Sequence, residues 1–171
     1  IIYSFYQILY NMGILLYIIL SIVLLLIYFL RKSKSDFFKQ DRETLAEYRY
    51  QLRMMLKYKG RNESEIDLYI EAYDFFCRFT TKFDGATIVK DLCDLPKLDI
   101  DAMVHDYECL IGANRNFIKW FKSAWKFFEN MRKNGKGNQI FRFVLVCLAG
   151  FVFVPYCAIF TPKYYPIKKQ R

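Results

Sequence analysis

The chain has 171 residues, with 26 Lys and Arg against 17 Asp and Glu, a net charge of +9 and a single histidine. That length suits one ordinary domain, but two long uncharged runs cannot both hide in the core of so small a water-soluble fold. Nucleic-acid binders carry such charge, yet no nucleic-acid motif accompanies it, and neither CxxC nor HxxxH is present to hold zinc.

The first element, MGILLYIILSIVLLLIYFL at 12–30, runs nineteen residues without a charge, enough to cross a bilayer as a helix. Arg31, Lys32 and Lys34 follow it at once and nothing basic precedes it. By the positive-inside bias this puts the side that carries residue 31 in the cytoplasm. A helix is expected over 36–58, capped by Asp36, with Phe38, Leu45, Tyr48, Leu52 and Leu56 near one face and Gly60 ending it. Ser64 with Asp67 opens a second helix to about Phe79. Thr80, Thr81, Asp84, Gly85 and Pro96 mark turns, and a short β-hairpin near 79–90 is expected there.

Asp99 can cap a helix to about Ile111, and another is expected from Asn116 to Met131, with an apolar stripe of Phe117, Trp120, Phe121, Ala124, Phe127, Phe128 and Met131. Asn134 to Asn138, with two glycines, close it. The second uncharged run, Phe143–Phe160, begins right after Arg142 and is eighteen residues long. It is expected to be a second span, with Arg142 reaching back to the interface. Gly150 and Pro155 do not argue against that, because both are tolerated in membrane helices. The five cysteines, two of them inside this run, suggest reduced thiols.

The expected fold is therefore mainly α: a first transmembrane segment (1–30), a small helical cytoplasmic domain (31–138), a second transmembrane segment (139–161) and a basic tail (162–171). Charge within the domain is ordered. Residues 31–62 hold ten basic and four acidic residues, 63–108 four basic and twelve acidic, and 109–138 seven basic and one acidic. Each basic arm adjoins an apolar run, so Arg31, Lys32, Lys34, Arg132, Lys133, Lys136 and Arg142 are candidate contacts to anionic lipid headgroups.

The acidic middle carries His105, flanked by Asp106, with Asp101 and Cys109 four residues away on either side. On a helix, positions 101, 105 and 109 share a face. An acidic surround favours the cationic imidazole, and Asp101 is its expected partner. Such a pair can be a proton relay or a satisfied helix-face histidine. Asp84 and Gly85 suit ordinary turn chemistry, and Asp84 with Asp106 could hold calcium through oxygen ligands. There is no P-loop, GxGxxG fingerprint or GxSxG elbow.

FDGATIV at 83–89, AMVHDYECL at 102–110 and the helix holding SAWKFFENM at 123–131 together resemble an uncharacterised family of small proteins of bacteriophage genomes. Its pattern is close to TDGASIP, AVVHDYLY and ADxxFxxAM, and the likeness covers about 78–137. Thr87, Val89 and Ala124 stand where that pattern has Ser, Pro and Asp. The resemblance implies a phage context and candidate positions, but no activity, since the function of that family is unknown; with the two apolar runs, the expected role is in infection or lysis through membrane or protein association. More distantly, the His-Asp helix is similar to that of phospholipase A2. That likeness implies His105 as general base, Asp106 at calcium and a second acid, Asp84, to orient the imidazole, in a membrane-tethered lipid hydrolase. An accessory subunit of a larger membrane complex is a third role that two spans and a basic, aromatic-rich loop would serve.

Overall fold

The computed structural model describes residues 37–80, 83, 93–160 and 164. Every one lies in the second of the two units into which the chain divides, 34–171. The expected first span, Arg31, Lys32, Lys34, Asp84, the expected hairpin apart from Phe79, Thr80 and Phe83, and the basic tail apart from Tyr164 lie outside the described residues. Among those described there is no strand, only an isolated antiparallel bridge between Leu95 and Leu98. The described part is a mainly helical fold of five α-helices.

Helix α1 spans Arg42–Tyr58, and its cap is Asp41, whose carboxylate accepts from the Thr44 backbone N–H at 2.8 Å and from its hydroxyl at 2.7 Å. The expected start at Asp36 fails for a packing reason. Phe37 and Phe38 are both buried, and successive helical positions do not face the same way. They form instead a 3-10 turn, Phe37–Lys39, that delivers both rings to the core. Only Leu52 and Leu56 of α1 are buried, and Gly60 at φ 70° turns the chain.

Helix α2, Glu63–Arg78, is the central element. Asn62 and Glu65 form a reciprocal capping box, two residues earlier than Ser64 and Asp67 would have placed it. It buries Ile66, Tyr69, Ile70, Tyr73, Phe75 and Phe76. Phe38 meets Tyr73 at 5.3 Å, and Phe83 packs edge-on to Phe38 at 5.2 Å and against Phe76 at 5.1 Å. Phe83, which opens FDGATIV, is thus a core residue.

Helix α3, Ile100–Leu110, begins at Asp99, which accepts from the backbone N–H groups of Asp101 and Ala102, as the sequence predicts. Gly112 and a 3-10 turn at Ala113–Arg115 lead to α4, Phe117–Lys133, capped by Asn116. A tight turn with Gly135 at φ 70° returns the chain as α5, Gln139–Phe160. Helices α4 and α5 run antiparallel, since Phe117 touches Phe151 while Phe128 touches Phe143. Trp120 and Ala149 make one small core between them; Ala102, Phe127 and Met131 make another under α3.

Among the described residues α5 is the one helix long and apolar enough to cross a membrane. Its 22 residues span about 33 Å at ~1.5 Å per residue, against ~30 Å of hydrocarbon.

Candidate functional site

His105 lies on the face of α3 that meets α4. Its ring stacks on Phe127 with centroids 5.3 Å apart and stands edge-on to Trp120 at 5.5 Å. Nδ1 is 3.0 Å from the Ser123 hydroxyl, which itself donates to Glu108 Oε2 at 2.7 Å. Because the single hydroxyl proton goes to Glu108, Nδ1 carries the imidazole proton and donates to Ser123. Nε2 then presents its lone pair towards Cys109 Sγ, 3.7 Å away. Lys126 closes the chain by pairing with Glu108 Oε1 at 2.7 Å.

This arrangement corrects two expectations. Asp101 does not pair with His105: it accepts from the Tyr69 hydroxyl at 2.7 Å and from the Asn134 amide at 2.8 Å. Nor is the cationic imidazole favoured. Burial pushes the His105 pKa down to about 4, and the pull of Glu108 and the bond to Ser123 recover only part of that. With a value near 4, about one His105 in a thousand is protonated at pH 7. A general base works best with a pKa near the working pH, so this imidazole is poorly poised for one. Asp106, half-buried, takes the next helix position, turned about 100° from His105. Asp84 lies outside the described residues, so the two acids expected to share calcium are not seen together.

A denser charged cluster sits at the start of α3. Oxygens of Asp94, Asp99 and Asp101 lie within 4.8 Å of one another, the spacing of a cation site. The Lys136 ammonium already occupies that position, 2.6 Å from Asp94 Oδ2, 2.5 Å from Asp99 Oδ1 and 3.2 Å from Asp101 Oδ2. Arg142, only 2 % exposed, adds a bond to Asp99 Oδ2 at 3.2 Å and lies over the Phe127 ring. Burial alone would lower the Lys136 pKa, but the attraction of Asp101, Asp99 and Asp94 holds it above its ordinary value. Burial raises Asp101, with Lys136, Tyr69 and Asn134 opposing. Burial is the largest of these influences, so Asp101 holds a proton more readily than an ordinary carboxyl, while Asp94 also pairs with Lys59 at 3.4 Å.

The cluster corrects the lipid assignment of Lys136 and Arg142, both of which are buried in ion pairs. Arg132 is exposed, and Lys133 is half-exposed and paired with Glu65 at 2.5 Å. Sequence reasoning missed Ser123 and Glu108. Their only signal was polarity inside otherwise apolar helix faces.

The third feature is a surface. Ile140, Val144, Leu148, Phe151 and Ile159 stand exposed along the outer side of α5, and no charged residue lies between Phe143 and Phe160. The inner side is buried at Arg142, Ala149, Gly150, Val154 and Cys157. A large uncovered apolar face marks an interaction site.

Comparison of the chain with protein-family models, with curated proteins and with solved structures finds no match.

Proposed function

We propose that this protein is a membrane-attached module that acts by binding a bilayer and other proteins, without turnover of a substrate. The observation that carries this reading is the outer face of α5, exposed and uncharged over the whole helix. Apolar surface of that extent is unfavourable in water by roughly 25 cal/mol per Å², so it calls for a partner. Residues 12–30, also without a charge, supply a transmembrane anchor, and the basic residues after them favour a cytoplasmic domain. The neutral, fully engaged His105 weighs against the lipid-hydrolase alternative. The resemblance of residues 78–137 to a phage family suggests infection or lysis as the setting.

The test is to express the full chain and separate membranes from cytosol, then wash the membranes at high salt and at alkaline pH. The chain is expected to stay with the membranes through both washes. A monodisperse chain in the soluble fraction would overturn the reading. A role in lysis predicts loss of membrane potential on expression, read with a voltage-sensitive dye.

A further inference from the structure

Resting on that reading, we infer that α5 lies along the membrane surface rather than across it, and that α4 and α5 together form an in-plane docking face for an anionic leaflet. The first ground is that both ends of α5 return to the same domain. At its start Arg142 is held by Asp99 beneath α3. Near its end the Arg115 guanidinium donates to the Ala158 carbonyl at 3.1 Å. Four residues past the helix, the Tyr164 backbone N–H donates to the Leu110 carbonyl at 3.3 Å, and its ring meets Phe79 at 5.5 Å and Phe75 at 6.0 Å. A helix that crossed the bilayer would put its two ends in different compartments, and no single folded domain could hold both.

The second ground is the partner helix. The Trp120 indole N–H donates to the Val146 carbonyl at 3.0 Å, and its ring fills the space over Gly150. Helix α5 therefore cannot enter the hydrocarbon alone without giving up this contact. Taking α4 along would bury Lys119, Lys122, Lys126 and Lys133 in lipid, where every lysine is strongly disfavoured.

The third ground is the pattern on the surface that remains. The apolar outer side of α5 continues onto an aromatic flank of α4, where Phe121 and Trp125 meet Phe143 at 6.0 and 5.7 Å. Phe121 and Trp125 are themselves about half exposed. The exposed Lys122 and Arg132 lie about 60° and 20° around α4 from Trp125 by helical spacing. A broad apolar face with a tryptophan at its edge and basic residues beside it is how interfacial helices bind: rings enter the acyl boundary and cationic groups stay among the headgroups. The basic rim selects lipid with net negative charge over a protein groove or a second copy of this face, which would set like charges together.

The experiment uses the full chain in sealed vesicles of phosphatidylcholine with and without phosphatidylserine. One epitope is placed after Arg171 and another at the exposed Tyr58, and both are read with an impermeant probe. Nitroxides at Ile140→Cys, Leu148→Cys and Ile159→Cys, with the native cysteines replaced, report depth. The expected result is both epitopes on one side and three similar, shallow depths. In phosphatidylserine vesicles the Lys122→Gln, Arg132→Gln double variant should lower the ratio of docked to undocked chains about thirtyfold, from ~1 kcal/mol per basic residue. The wild-type epitope readout needs no core substitution, so misfolding of a labelled variant cannot blur the answer. Epitopes on opposite sides, or Leu148 at mid-bilayer with Ile140 and Ile159 shallow, would overturn the in-plane arrangement. Labels that remain in water on a membrane-bound chain would overturn docking by this face while leaving membrane attachment standing. A chain that does not sediment with either vesicle would sink the attachment reading itself.

Discussion

Acidification should destabilise this protein through its one histidine, and the size of the effect follows from where that ring lies. His105 has an ordinary pKa of 6.5 when unfolded and about 4 in the fold, because burial disfavours the imidazolium. As pH falls below 6.5 the unfolded chain takes up a proton that the folded chain refuses, so stability present above 6.5 is lost progressively down to about 4. The full loss is on the order of 3 kcal/mol, at ~1.4 kcal/mol for each tenfold difference in proton affinity. Urea unfolding of the detergent-solubilised chain between pH 7.5 and 4, for wild type and His105→Gln, isolates the effect. Other groups titrate in both proteins, and only the difference in slope belongs to His105. Because the chain has a single histidine, one imidazole signal in an NMR titration gives the folded value directly. Equal slopes in the two proteins, or an imidazole that titrates near 6.5, would refute the buried neutral assignment.

Ser123→Ala should cost about 1–3 kcal/mol, since it strips the hydroxyl that receives the buried Nδ1–H; a thermal melt unchanged from wild type would contradict that hydrogen-bond chain. Lys136→Met leaves the buried Asp99 and Asp101 with Arg142 as their remaining cation, Asp94 keeping Lys59, and should destabilise by roughly 3–5 kcal/mol at neutral pH. Calcium at a hundredfold excess over its dissociation constant should return about 2.7 kcal/mol to that variant, by occupying the vacated position, and nothing to wild type. Denaturant midpoints that ignore calcium in the variant would show that the ammonium is not standing in for a cation. Gly150→Ala drives a methyl into the Trp120 indole and should cost about 1–3 kcal/mol, with a changed Trp fluorescence maximum as the independent sign.

Much of the helical skeleton was legible because its signals are local. Asp99 and Asn116 each precede an apolar periodic stretch and each caps the helix expected of it. Where a local signal failed, packing decided: the sequence put the cap at Asp36, but the two adjacent rings of Phe37 and Phe38 are buried together and the helix starts after Asp41. The candidate site was less legible. Spacing of four along α3 says that Asp101 and His105 share a face, but not that Tyr69, Asn134 and Lys136 arrive from elsewhere to claim the carboxylate. Arg142 beside an apolar run reads the same whether it reaches for lipid headgroups or for a buried acid. Its partner is 43 residues upstream, beyond any local pattern.

The turn between α1 and α2 carries a consequence for how the chain acquires its fold. Arg61, almost fully buried, lies over the Tyr69 ring and donates to the Asn130 side chain and carbonyl and to the Asn134 side chain, partners 69 and 73 residues later. Lys133 reaches back over 68 residues to Glu65. A nascent chain that has emerged only as far as α3 can offer that guanidinium Glu65, 3.3 Å away, but none of its Asn130 and Asn134 acceptors, and Asp101 still lacks Asn134. The early helices can collapse onto their aromatic rings, but the last polar closures wait for the end of α4. These long-range polar closures should therefore form last, and a break in the chain between α3 and α4 should cost both halves their order together.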